Sequence, residues 1–195
     1  MRNQYLFIVT ISLLIGACST KYKNPHIEIQ TSKGEIELEL YPDQAPKTVQ
    51  AFLSYIKRGY YKNSSFYRVL NDDNQPSNAD KAELIQGGMY KSMPKVHDTL
   101  TGIPHETTAQ THILHKKGTI SLARLAPGTA TSEFFICLSD QPGFDFGGEN
   151  NPDKQGYAAF GKVIKGMDIV TKIYSQNEEN QSFDPPVPIY DIIQL

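Results

Sequence analysis

The sequence predicts a mainly β protein, an antiparallel barrel or sandwich capped by two α-helices. Three observations predict it. Strand-like segments come in runs rather than in regular alternation with helices, so a parallel βαβ sheet does not fit. The first two strands alternate apolar and polar residues strictly, as a sheet with one solvated face does. Only two segments repeat with the period of a helix. Closing such a sheet into a barrel would also remove its exposed edges.

Taken in order, "HIEIQTSKGEIELELY" reads as a hairpin. Ile27 and Ile29 face one way, with Ile36, Leu38 and Leu40, while Glu35, Glu37 and Glu39 face the other. The period then changes. "APKTVQAFLSYIKRG" puts Val49, Phe52, Leu53 and Ile56 on one helical stripe, with Pro46 suited to the first turn and Lys57, Arg58 and Gly59 to the end. "SFYRVL" is the next strand, and simple alternation groups Phe66, Arg68 and Leu70 on one face, with Tyr67 and Val69 on the other. A permanently charged arginine between two apolar side chains needs a reason. Residues 71–82 are almost devoid of apolar side chains and read as a surface loop. "ELIQGGM" reads as a short strand broken at Gly87-Gly88, and 90–117 as irregular. "GTISLAR" and "SEFFICLS" are two strands, "PGFDFGGENNPDKQG" a loop and "YAAFGKVI" a strand. "GMDIVTKIY" is a second short helix with Met167, Val170 and Tyr174 on one face. "SQNEENQSFDPPVP" reads as a loop, and "IYDIIQL" as the last strand.

A chain of 195 residues, 39% hydrophobic and 21% charged, fits one globular domain. A net charge of −2 offers no basic excess to neutralise phosphates, which argues against nucleic acid as a partner. The first residues differ from the rest. "MRNQYLFIVTISLLIGAC" has a basic start and an apolar stretch too short to span a membrane, as a secretory leader has. Its end, Ile15-Gly16-Ala17-Cys18, resembles a bacterial lipobox, which implies lipidation at Cys18. The expected organisation is a leader at 1–17, a lipidated cysteine and tether at 18–25, and one domain at 26–195. The tether, fully extended, reaches only about 25 Å, so the domain would sit close to the membrane. The expected location is the bacterial envelope, facing the periplasm, with Ser19 pointing to the outer membrane. Cys137 then remains as the sole thiol, read as a small core residue.

Other site types fit poorly. His105, Glu106, His112 and His115 invite a metal, but the zincin spacing would need a histidine where Ala109 stands. Solvated loop histidines and no metal are expected. No Ser-His-Asp arrangement or nucleophile elbow is visible, and "GKVIKG" lacks phosphate-loop spacing.

What remains is an ordered series of segments: "SFYRV", "LIQGG", "GTISLAR", "SEFFI", "PGFDFGG" and "GYAAFGKVIKGMDIV". Their order and spacing resemble the cyclophilin family of peptidyl-prolyl cis-trans isomerases over about residues 26–195. The resemblance implies a closed eight-stranded antiparallel β-barrel capped by two helices, no cofactor, and proline-containing polypeptides as substrates of a monomer. It places the catalytic arginine at Arg68, the glutamine that holds substrate backbone at Gln86, and the floor of the proline pocket at Phe135. Leu84 and Phe144 fall on the pocket walls and Phe160 beneath; Ala123 and Arg124 fall where substrate backbone is contacted. Four positions depart from the best-known pattern: Tyr67 and Tyr157 stand where histidines are usual, Glu83 where a phenylalanine is common, and Glu133 where a glutamine is. Glu133 and Tyr157 are retained as substrate-binding positions, and these departures bear on peptide selectivity and cyclosporin affinity.

The chemistry suits these residue types. X–Pro isomerisation crosses a barrier of about 18–20 kcal/mol set by amide resonance, and no bond is made or broken. The site need only bind the twisted amide better than either planar form. Twisting returns a lone pair to the prolyl nitrogen, to which a fixed guanidinium can donate in a water-poor groove. A rate gain of roughly 10⁵ needs about 7 kcal/mol of such differential stabilisation. With no histidine expected in the site, the rate should be nearly flat from pH 6 to 8. The alternative function is a cyclophilin-like module that binds proline peptides without turnover.

Overall fold

The computed structural model describes residues 22–78 and 81–195; the expected leader and Cys18 lie outside the described residues. Strands β1 (His26–Thr31) and β2 (Gly34–Leu40) form the expected hairpin, with Ile27 opposite Leu38 and Ile29 opposite Ile36. The sheet continues through β7 (Ala158–Lys165), β5 (Thr119–Leu122), β6 (Phe134–Cys137), β4 (Leu84–Gly88), β3 (Ser64–Leu70) and β9 (Ser182–Gln194). Strand β9 pairs back onto β1, so eight antiparallel strands close into a barrel. A two-residue strand, β8 (Glu178–Glu179), is added at β9.

Alternation fills the barrel. Ile27, Ile29, Ile36, Leu38 and Leu40 are all fully buried inside it. The opposite face of β2 is less solvated than expected: Glu37 is buried between His26 and Lys165, and the Lys165 ammonium, then His26, holds its carboxyl below the usual range. Helix α1 (Pro46–Lys57) covers one opening and buries Val49, Phe52 and Tyr55, while Leu53 and Ile56 are only partly buried. Phe52 packs on Tyr61, Phe134 and Phe160 at ring distances of 5.1, 5.7 and 5.0 Å. Helix α4 (Met167–Tyr174) buries Val170 and Ile173.

The first turn of α1 needs acceptors for its free N–H groups, and its N-cap residue Ala45 supplies none from its side chain. Glu106, buried and distant in sequence, does so. Its carboxylate accepts from the Lys47 and Thr48 N–H groups at 3.1 and 2.8 Å and from the Thr48 hydroxyl at 2.7 Å. Replacing Glu106 by alanine should cost about 2 kcal/mol. A thermal melt should show the midpoint falling by about 5 °C.

Two sequence readings are corrected. Residues 90–117 are not wholly irregular, for they contain the one-turn helices α2 (Pro94–His97) and α3 (Thr108–Thr111), the latter with a Thr107–Gln110 capping box. Residues 182–188 are strand rather than loop. Two of their three prolines fit because the pairing with β3 jumps from Val187 opposite Phe66 to Ser182 opposite Arg68. Pro185 and Pro186 lie in the excursion between, where no ladder donor is required.

Candidate active site

The site begins with an irregularity in β3. Phe66 lies opposite Gly87 and Arg68 opposite Gln86, so Tyr67 is an extra residue on one strand. Such a β-bulge re-aims the side chains that follow it. Phe66 and Val69 both point into the barrel core, while Arg68 and Leu70 line the groove on the outer face. The expected grouping of Phe66 with Arg68 is therefore wrong, because strict alternation fails at the bulge. Arg68 is not wedged into the core at all.

Strands β4 and β6 are covered on both faces. Phe134 and Ile136 face the barrel core, whereas Phe135 and Cys137 face a second apolar cluster with Ala82, Leu84 and Phe144. Burial pushes the Cys137 thiol up, which fits an inert filler. Phe135 meets Phe144 and Tyr157 edge-on, at 5.5 and 5.2 Å. Above this cluster lies a groove of about 560 Å³. Of the residues predicted from sequence, Arg68, Gln86, Phe135, Leu84, Ala123, Arg124, Glu133, Phe144 and Tyr157 all line it. Phe160 does not. It is fully buried on the other side of the sheet, in the barrel core against Phe52.

The guanidinium of Arg68 donates from Nη1 to Gln86 Oε1 at 3.1 Å, and from Nη2 and Nε to Gln181 Oε1 at 2.8 and 3.3 Å. Both partners are neutral amides, so its charge is held without being cancelled by a carboxylate. Among the described residues three of its five N–H groups find partners, which leaves two. Gln86 in turn donates to the Tyr67 hydroxyl at 2.9 Å, and Tyr67 donates to Glu133 Oε2 at 2.5 Å. Glu133 also accepts from the Tyr90 N–H and the Ser132 hydroxyl, each at 3.0 Å. Burial raises the Glu133 carboxyl above its usual range. Burial, then the neighbouring Glu133, pushes the Tyr67 phenol up, so it remains a donor at neutral pH. Gly88 makes room for this chain, since a Cβ there would stand 2.4 Å from a Glu133 oxygen.

Arg124 lines the groove and also has partners within the protein. Its head is committed to the 145–156 loop: it forks onto Asp153 with two contacts of 2.8 Å, donates to the Gly156 carbonyl, and lies over the Tyr157 ring. It braces the groove wall. The Arg124 hydrogen bond, then the Gln155 N–H, lowers the Asp153 carboxyl to about 2. A carboxyl depressed in the folded state stabilises that state above its ordinary pKa and stops doing so as pH falls through the depressed value. A carbon-13 carboxyl titration should thus place the Asp153 midpoint near 2, with the brace intact throughout pH 4–8.

Three residues were missed by sequence reasoning. His97 lines the far end of the groove, 3.3 Å from the Thr131 hydroxyl, so the expectation of no histidine in the site is corrected. Gln181 sits in a polar stretch with no periodicity to single it out. His115, expected to be solvated, is buried behind Phe135 with its ring 6.0 Å away and nearly parallel. It lies 2.8 Å from Asp145 Oδ1 and 3.0 Å from Ser121 Oγ. This resembles a nucleophile triad, but Ser121 is fully buried, so its hydroxyl has no access to substrate. The arrangement supports the floor instead.

Comparison with known proteins agrees with this geometry. Residues 26–194 match the family model described as cyclophilin type peptidyl-prolyl cis-trans isomerase/CLD. A peptidyl-prolyl cis-trans isomerase of Acinetobacter baylyi is 37% identical over 85% of this chain and 79% of its own. Peptidyl-prolyl cis-trans isomerase B of Escherichia coli is 33% identical over 86% of this chain and 94% of its own. A crystal structure of a Cryptosporidium parvum cyclophilin type isomerase superposes with a TM-score of 0.68 at 23% identity, covering 88% of this chain and 98% of that one. The chain belongs to the cyclophilin-type peptidyl-prolyl cis-trans isomerase family.

Proposed function

We propose that the protein isomerises X–Pro bonds of exported polypeptides in this groove, acting as a monomer held at the bacterial envelope by a lipid on Cys18. One observation carries the catalytic part: the charged head of Arg68, fixed by two amides with two N–H groups unspent, stands at the edge of an apolar socket. The proline ring fits against Phe135, with Leu84 and Phe144 as walls. Arg68 donates to the prolyl nitrogen as the amide twists and that nitrogen regains its lone pair. Gln86 steadies the guanidinium and stands beside the substrate backbone. No nucleophile, base or cofactor enters this reaction. The anchoring part is supported by the apolar leader ending in Ile15-Gly16-Ala17-Cys18. That part also directs the enzyme to exported chains facing the periplasm.

Titration of an Ala-Pro-containing peptide into isotope-labelled protein tests the groove. Resonances of Leu84, Ala123, Phe135 and Phe144 should shift; shifts confined to the surface between α1 and β9 would contradict the assignment. Cys18→Ser should move the protein from the membrane to the soluble fraction of its bacterium. An unchanged membrane fraction would rule out the lipid anchor.

A further inference from the structure

The turn joining β8 to β9 holds Asn180 and Gln181, both with positive φ, at 51° and 69°. A two-residue hairpin turn of this kind prefers glycine at its second position, because side chains crowd the left-handed region. Glutamine stands there instead. Strain kept at such a position calls for a function, and the contacts of this side chain supply one. Its Oε1 accepts from both Nη2 and Nε of Arg68, at 2.8 and 3.3 Å. Its Nε2 donates to the Asn74 carbonyl at 3.0 Å, which fixes which end of the amide meets Arg68. Its own N–H donates to Glu178 Oε2 at 2.7 Å.

Asn74 is itself well held. Its side chain donates to the Val69 carbonyl and accepts from the Asn71 N–H, while Asn71 Oδ1 accepts from the N–H groups of Asp73 and Asn74. The polar segment that begins after β3 is thus tied back to the end of the strand that carries Arg68.

From these contacts we infer that Gln181 is the positioning residue of the catalytic arginine, with the Asn74 carbonyl as its outer support. Gln86 restrains one side of the guanidinium and Gln181 the other. Between them they restrain the guanidinium from both sides at the groove it lines. A neutral amide does this without cancelling the charge on which the reaction relies. The inference rests on the isomerase reading of the groove, and it gives the loop after β3 a part in the reaction rather than a merely tolerated place on the surface.

The test compares the wild-type chain with Gln181→Gly and Gln181→Met, measuring kcat, KM and melting temperature on one X–Pro peptide. Glycine relaxes the turn but removes the acceptor; methionine keeps the length and the strain but also removes the acceptor. Both should lower kcat by about tenfold, with KM changed by less than about twofold, because misplacing a fixed group acts on the transition state. The glycine variant should melt no lower than the wild type. Full turnover in either folded variant would overturn the inference. So would a rise in KM at constant kcat, or a loss of activity in Gln181→Gly that tracks a lower melting temperature. An inactive wild type would instead overturn the isomerase reading beneath it.

Discussion

Replacing Arg68 by alanine should lower kcat/KM for an X–Pro peptide by about 10²–10³-fold, the scale seen when one preorganised donor is removed from a reaction centre. The protein should remain folded. Arg68 is only partly buried, lies on the outer face of β3, and makes its side-chain bonds to two amides that can turn to water. Its removal leaves the barrel core untouched, because the bulge at Tyr67 has already taken it off the core face. Lysine should not restore the rate. Its single ammonium cannot accept the two-sided hold of Gln86 and Gln181 while still presenting donors to the groove. Kinetics of both variants, beside circular dichroism to confirm folding, would check this. An alanine variant within threefold of the wild type would remove Arg68 from the mechanism.

Strand β6, one strand beyond β4 from β3, gives the largest expected effect on stability. Phe134 is fully buried and meets Phe52, Tyr61 and Phe66 edge-on, at 5.7, 5.8 and 5.7 Å. Phe134→Ala empties the point where α1, β3 and β6 converge. It should cost about 3–5 kcal/mol, the loss of transfer energy plus the cavity left behind. The midpoint of thermal unfolding should fall by about 10–15 °C. Denaturant unfolding of the variant would check the figure, and a loss below about 1 kcal/mol would mean that the neighbouring rings collapse into the space.

These two substitutions show what was legible in the sequence. The β1–β2 hairpin and α1 were readable because one face of each meets the core and the other meets solvent, so burial writes a period into the residues. Strands β4 and β6 carry no such period, since both faces are covered, one by the barrel core and one by the cluster under the groove. For that reason Phe135 is placed by motif order rather than by pattern, and so is Phe160, which lies in the barrel core and not in the groove. The bulge at Tyr67 was invisible for a related reason: alternation assumes one residue per pairing step, and β3 has an additional one. Pro185 and Pro186 conceal a strand because the excursion that accommodates them is set by β3, far away in the sequence. Gln181 lay in a stretch whose only signal was a residue unsuited to its turn, and that signal appears once the φ angle is known.

The central claim is that this groove catalyses rotation about X–Pro bonds. Exchange spectroscopy on a short X–Pro peptide, with resolved cis and trans signals, tests it most directly. Without catalyst the isomers exchange over tens to hundreds of seconds. A catalytic amount of the protein should bring exchange into the sub-second range, with strong cross-peaks between the two isomers. Slow exchange in the presence of correctly folded protein would contradict the account and leave a barrel that binds proline peptides without turning them over.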